Sequence, residues 1–225
     1  MGLKCNQIFY GWWIVAAVFF ISAYVSGIVS FGFTAVIDPI AEEFGWSHAR
    51  VSLAASIRGL EIGLLAPMVG LLMDRLGPRK LIFSGAFITG LGLVLLSHIS
   101  SLWAFYGVFV LIAAGISTCI GVVPVTVVGH WFQRKISLVT GVVVSGVAVG
   151  GLMVPVVAGI IDRFGWRTAM VLLGVGTWTI VLPLSFIVRH RPEPYGYRPD
   201  GTAVEMKTTK TPHIGYRIWQ LLQTL

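Results

Sequence analysis

Gly70-Leu-Leu-Met-Asp74-Arg75-Leu-Gly77-Pro78-Arg79-Lys80 is a short charged turn set between two long apolar runs. Asp74 closes the first run, where a helix C-terminus carries partial negative charge, and Arg79 and Lys80 open the second, where a helix N-terminus carries partial positive charge. Each charge stands at the unfavourable pole of its own helix. That arrangement is reasonable if carboxylate and cations neutralise one another across the turn. Gly77 permits a positive φ and Pro78 suits a first helical turn. The same pattern, Asp-Arg-x-Gly-x-Arg, returns at Asp162, Arg163, Gly165 and Arg167, each displaced by 88 residues from its counterpart. The chain therefore carries an internal repeat.

Composition sets the class. Hydrophobic residues make up 56% of the chain and charged residues 11%, with a mean hydropathy of +0.87. Soluble domains carry about 25% charged residues. An integral membrane protein is expected, with the lipid bilayer as its first partner.

The formal charge of +7 does not point to nucleic acid, because it is distributed by side. With a cytoplasmic N-terminus, Lys4, Arg75, Arg79, Lys80, Arg134, Lys135 and every cation from Arg189 onward fall inside. Only Arg50, Arg163 and Arg167 fall outside. This is the positive-inside pattern, and it places both termini in the cytoplasm of a multi-pass protein of the cell membrane. Cys5 and Cys119 are too differently placed to suggest a disulfide.

Six apolar runs follow in order, each near the ~20 residues needed to cross a bilayer. The first spans Phe9–Ile37, begins with the interfacial aromatics Tyr10, Trp12 and Trp13, and is expected to stop at Asp38-Pro39, before an outer loop, Ile40–Trp46. Ser47 reads as the N-cap of a second helix, His48–Met73, with small residues at Ser52, Ser56, Gly59, Gly63, Ala66 and Gly70 along which another helix could approach. Further helices are expected at about Leu81–Ser97, Leu102–Val128, Ile136–Ile161 and Arg167–Val188. The fifth is glycine-rich, and Gly141, Gly146, Gly150 and Gly151 read as helix-packing positions. Residues 1–190 thus read as a six-helix transmembrane bundle. Residues 191–225, polar and rich in proline and glycine at first, read as a cytoplasmic linker. The two charged turns are three spans apart and so face opposite sides. The expected fold is all-α, with six transmembrane helices in an inverted 3+3 repeat, an architecture used by transporters.

These residues resemble the N-terminal six-helix half of the major facilitator superfamily. The turn is similar to that family's signature loop at Gly70, Asp74, Arg75, Gly77, Arg79 and Lys80. Tyr10-Gly-Trp-Trp, Phe44-Gly-Trp-Ser47, Gly165-Trp-Arg167, Tyr195-Gly and Pro199-Asp-Gly201 resemble its monocarboxylate-porter and oxalate–formate-exchanger branch. The fourth helix lacks the arginine that many proton-coupled members place there, and Val147 stands where the antiporter glycine motif has proline. The resemblance implies alternating access between two six-helix halves, with the signature loop holding or releasing one conformation. The partner would be a C-terminal half absent from this chain, or a second copy.

Arg58 and Glu61 lie three residues apart in the second apolar run, on one helix face. A charge at bilayer depth costs roughly 2.5–3.5 kcal/mol even on an insertion scale, so it should meet a cavity or a partner. Arg58 could attract an anionic substrate, such as a carboxylate, with Glu61 balancing it or taking a proton. Equally, the two could form a structural pair. The Asp162–Arg167 turn reads as a structural outer clasp. His48, His98 and His130 read as polar loop positions. No metal-ligand spacing, nucleotide loop or catalytic triad occurs in the sequence, so neither a cofactor nor an enzyme is expected. The expected function is secondary transport of a small organic anion. The alternative is a non-transporting six-helix receptor or assembly partner.

Overall fold

The computed structural model describes residues 9–190, so the expected linker 191–225 and Cys5 lie outside the described residues. Within them the chain is all helical. α1 (Tyr10–Val25) runs through a π-helical stretch (Ser26–Phe31) into α2 (Thr34–Phe44). α3 (His48–Leu76), α4 (Pro78–Leu96), α5 (Leu102–Cys119), α6 (Val122–Trp131) and α7 (Ile136–Gly150) follow. A 3₁₀ turn (Gly151–Met153) then leads into α8 (Val154–Ile187).

Four segments are long and apolar enough to cross a membrane: Tyr10–Phe44, Pro78–Leu96, Leu102–Trp131 and Ile136–Ile187. α3 makes a fifth if its two limbs, bent by 41° between Glu61 and Gly63, count as one. Pro67 explains the bend: it cannot donate to the carbonyl of Gly63 and its ring crowds that oxygen. Ile136–Ile187, at 52 residues, is divided at Gly165, whose φ of 78° and ψ of 155° leave the helical region. Gly77 has φ 78° and ψ 157°. The two copies of the turn therefore share one backbone shape.

α4 sits between α5 and α8, and glycines set the spacing. A Cβ on Gly85 would lie 2.6 Å from the Gly115 carbonyl oxygen of α5, and one on Gly174 of α8 would lie 2.8 Å from the Gly90 oxygen. Such close backbone approach is how helices associate where lipid removes the hydrophobic drive. The outer faces stay apolar: Trp103, Leu64 and Leu152 are 83%, 77% and 76% exposed.

Several expectations are corrected. Pro39 does not end the first helix. It lies inside α2, which runs to Phe44 and is closed by Gly45 in the left-handed region. Burial of Val36, Ile40 and Ala41 against the core outweighs the one hydrogen bond that proline removes. The outer loop shrinks accordingly to residues 45–47. The fourth helix is not continuous, because Ile120 and Gly121 interrupt it. The fifth is interrupted at Gly151–Met153, and helix then resumes and runs into the expected outer turn as far as Gly165. Ser47 occupies the N-cap position of α3 in extended conformation but makes no side-chain capping bond.

The glycines of the α3 stripe meet no neighbour among the described residues: a Cβ on Gly59, Gly63 or Gly70 would find nothing within 4 Å. In the glycine-rich run, Gly146 and Gly150 pack against α1, whereas Gly141 faces open space and Gly151 has only an ordinary contact with Phe31.

Candidate functional site

The two ends of the bundle are built differently. At the Gly77 end, Tyr10 Oη donates to the Ile187 carbonyl, Trp131 Nε1 donates to the Arg189 carbonyl, and Arg189 lies over the Tyr10 ring at 4.2 Å. Arg79 lies over the Phe186 ring at 4.5 Å. Among the described residues Asp74 makes no ion pair within 4.0 Å, so mutual neutralisation across the turn is not the arrangement found. Arg75 borders a cavity of about 430 Å³ between α3, α4 and α5.

At the Gly165 end the central group is Arg167. Its Nη2 donates to Glu43 Oε1 at 2.8 Å and its Nε to the same oxygen at 3.1 Å. Nη1 reaches the Ser97 carbonyl at 2.6 Å and Nη2 the Ile99 carbonyl at 3.2 Å. Trp166 Nε1 donates to the other Glu43 oxygen. One guanidinium thus ties α2, the end of α4 and α8 together. Asp162 and Arg163 are exposed and take no part in this clasp. Its carboxylate is Glu43, which the repeat pattern does not reveal because it stands outside both copies.

Between the ends, irregular backbone gathers inside the apolar spans. Gly32 N–H bonds five residues back to Gly27 at 2.8 Å, the mark of the π-helical stretch, and single π turns of this kind recur at functional sites. Ser26 Oγ donates to the Val147 carbonyl of α7 at 3.0 Å. A Cβ on Gly150 would lie 2.5 Å from the Ala23 oxygen, and one on Gly27 would lie 2.7 Å from the Gly150 oxygen, so α1 and α7 touch backbone to backbone.

Arg58 reaches into this region. Its Nη1 donates to the Val29 carbonyl in the π-helical stretch, and its guanidinium lies 5.9 Å from the Phe33 ring centre. Glu61 is not its ion-pair partner: no bridge within 4.0 Å joins them, and Glu61 Oε2 is buried without a hydrogen-bond partner. The structure thus places Arg58 on a backbone carbonyl and leaves Glu61 before the bend of α3.

A separate cavity of about 400 Å³ is walled by α1, the π-helical stretch, the α5–α6 break and α7. Among the described residues no group of three or more His, Cys, Asp or Glu could hold a metal ion. The buried Cys119 lies at the end of α5.

A bundle of long apolar helices with ionisable side chains held inside the spans defines a multi-pass membrane protein. Comparison with known sequences takes this further. The Major Facilitator Superfamily sequence model matches residues 12–222, and the chain belongs to that family. Among curated relatives, Monocarboxylate transporter 7 of Homo sapiens is 26% identical over 175 residues, covering 77% of this chain and 33% of the relative. The Oxalate:formate antiporter of Oxalobacter formigenes is 27% identical over 190 residues, covering 84% and 44%. Monocarboxylate transporter 13 of Bos taurus is 30% identical over 186 residues, covering 78% and 43%. The chain spans between a third and a half of the length of these relatives, all of them named as transporters.

Proposed function

We propose that the chain forms one six-helix lobe of a secondary transporter for a small organic anion, a mono- or dicarboxylate, working by alternating access. The six crossings form an inverted 3+3 repeat, with Gly77 and Gly165 at equivalent turns and both termini cytoplasmic. The second lobe is a further six-helix segment or a second copy of this chain. The single observation that carries the anion reading is Arg58, held within an apolar span by a neutral carbonyl with no carboxylate paired to it. A cation so placed needs a counter-charge, and a transported carboxylate supplies one for part of each cycle. The names of the relatives support the same solute class. Glu61, buried on one oxygen and unpaired, is the proton-accepting candidate. The signature residues Gly70, Asp74, Arg75, Gly77, Arg79 and Lys80 hold or release one conformation.

The test is uptake of radiolabelled oxalate, formate and lactate into proteoliposomes containing the intact chain. Uptake of at least one is expected, and Arg58→Gln should lower its kcat/KM at least tenfold, about 1.4 kcal/mol of transition-state binding. Arg58→Lys should recover little, since a point charge does not reproduce the guanidinium geometry. Unchanged uptake by Arg58→Gln would remove the substrate role. No uptake of any of the three would remove the transport reading for these anions.

A further inference from the structure

The 400 Å³ cavity beside the α5–α6 break holds groups that the Arg58 reading does not use. Its wall is mostly apolar, with Phe31, Val143 and Val147 contributing. Ser22 differs. It is 1% exposed, it lines the cavity, and its hydroxyl makes no hydrogen bond among the described residues. A hydroxyl that opens on an apolar cavity without a protein partner is costly, and a helical serine would ordinarily return its proton to a carbonyl of the preceding turn, as Ser117 does to Ala114.

The second difference is in the backbone. Ile120 N–H still bonds to the Ile116 carbonyl, and the first bond of α6 runs from Val125 N–H to the Gly121 carbonyl at 3.3 Å. Pro124 has no N–H. The N–H groups of Gly121, Val122 and Val123 therefore have no backbone acceptor, and Gly121 and Pro124 line the same cavity as Ser22. Gly121 makes the break possible, with φ 87° and ψ −113°, and a Cβ there would meet nothing within 4 Å. Ten residues separate Gly121 from Trp131, about 15 Å of helix, so these donors open well inside the span. The start of a helix concentrates unsatisfied donors and partial positive charge, and anions bind there. A cavity of this volume is of the size that encloses small ligands.

We infer that this cavity is a subsite for one carboxylate group of the transported anion, held by the Ser22 hydroxyl and the free Gly121 N–H at the start of α6. The inference rests on the small-anion reading given above and adds where the carboxylate sits. Partial charges and a hydroxyl hold an anion without a full counter-ion, which suits a site that must also release it.

The test uses the intact chain with Cys5→Ser, reconstituted and carrying Ser22→Cys, with Ser100→Cys at the far turn as reference. Labelling by N-ethylmaleimide is followed with oxalate, formate or lactate present, each against chloride at equal ionic strength. At least one carboxylate should slow labelling at position 22 fivefold or more and leave position 100 unchanged. In parallel, Ser22→Ala should raise the KM for that anion about tenfold with kcat little changed. If the parent chain transports a carboxylate while position 22 is unprotected and the Ser22→Ala KM is unaltered, the subsite is wrong and the transport reading stands. Protection without transport supports the subsite and overturns the transport reading. Neither protection nor transport overturns both.

Discussion

Gly77 and Gly165 adopt φ 78° with ψ 157° and 155°, a region reached almost only by glycine. A Cβ at either position meets nothing within 4 Å, so alanine would be penalised by the backbone alone. Gly77→Ala and Gly165→Ala should each lose on the order of 1–3 kcal/mol, seen as similar falls in unfolding temperature in detergent. A large difference between them would mean that the shared torsion angles are not the source of the loss. These glycines were legible in the sequence because the repeat marks them. Glu43 was not. It meets Arg167 across 124 residues of chain, and no spacing or periodicity announces a partner so distant. The pairing of Arg58 with the Val29 carbonyl was hidden for a related reason: a sequence shows which residues carry charge, not which backbone oxygens fall out of the helical ladder.

At the scale of elements, hydropathy located the apolar runs, because their length is set by the bilayer, but it passed over their interruptions. The π-helical stretch, the break at Gly121 and the 3₁₀ turn at Gly151–Met153 all lie within runs that are apolar throughout. Apolar residues look alike whether the local ladder steps by three, four or five. Gly121 and Pro124 were visible together inside the fourth run, yet glycine and proline are also tolerated in unbroken membrane helices. Glycines in the fifth helix show the same limit, since only their neighbours sort them. A Cβ on Gly150 would press on Ala23 and Ser26 of the first span, whereas one on Gly141 would enter open space. Gly150→Ala should therefore destabilise by about 1–3 kcal/mol through overpacking, while Gly141→Ala should be neutral or slightly favourable in the same thermal measurement. Equal effects would show that α1 and α7 are not in contact there.

For the whole molecule, family membership was the most legible property, because the turn around Gly77 combines a specific spacing with a specific place between two apolar runs. Architecture beyond that was less so. The glycines of the α3 stripe predict a neighbour that the described residues do not provide, while α4, which the sequence did not single out, sits against two helices through Gly85, Gly90, Gly115 and Gly174. Small residues reveal a capacity for close approach but not the partner.

The repeated turn has a consequence for how the protein answers its surroundings. Arg79 and Arg167 occupy the same place in the two copies, yet one rests on the Phe186 ring and the other is bound to the Glu43 carboxylate. Attraction between opposite unit charges weakens as salt shortens the Debye length from about 8 Å at physiological ionic strength to about 3 Å at 1 M. Contact with a ring face, which acts at short range, is far less exposed to screening. Hydrogen exchange in 1 M KCl should accordingly quicken around Glu43, Ser97 and Trp166 and change little around Pro78 and Phe186; equal quickening at both ends would refute this. A single repeated turn would then give the protein one brine-sensitive end and one indifferent to brine, so that the same sequence pattern answers the electrolyte at one end of the bundle and ignores it at the other.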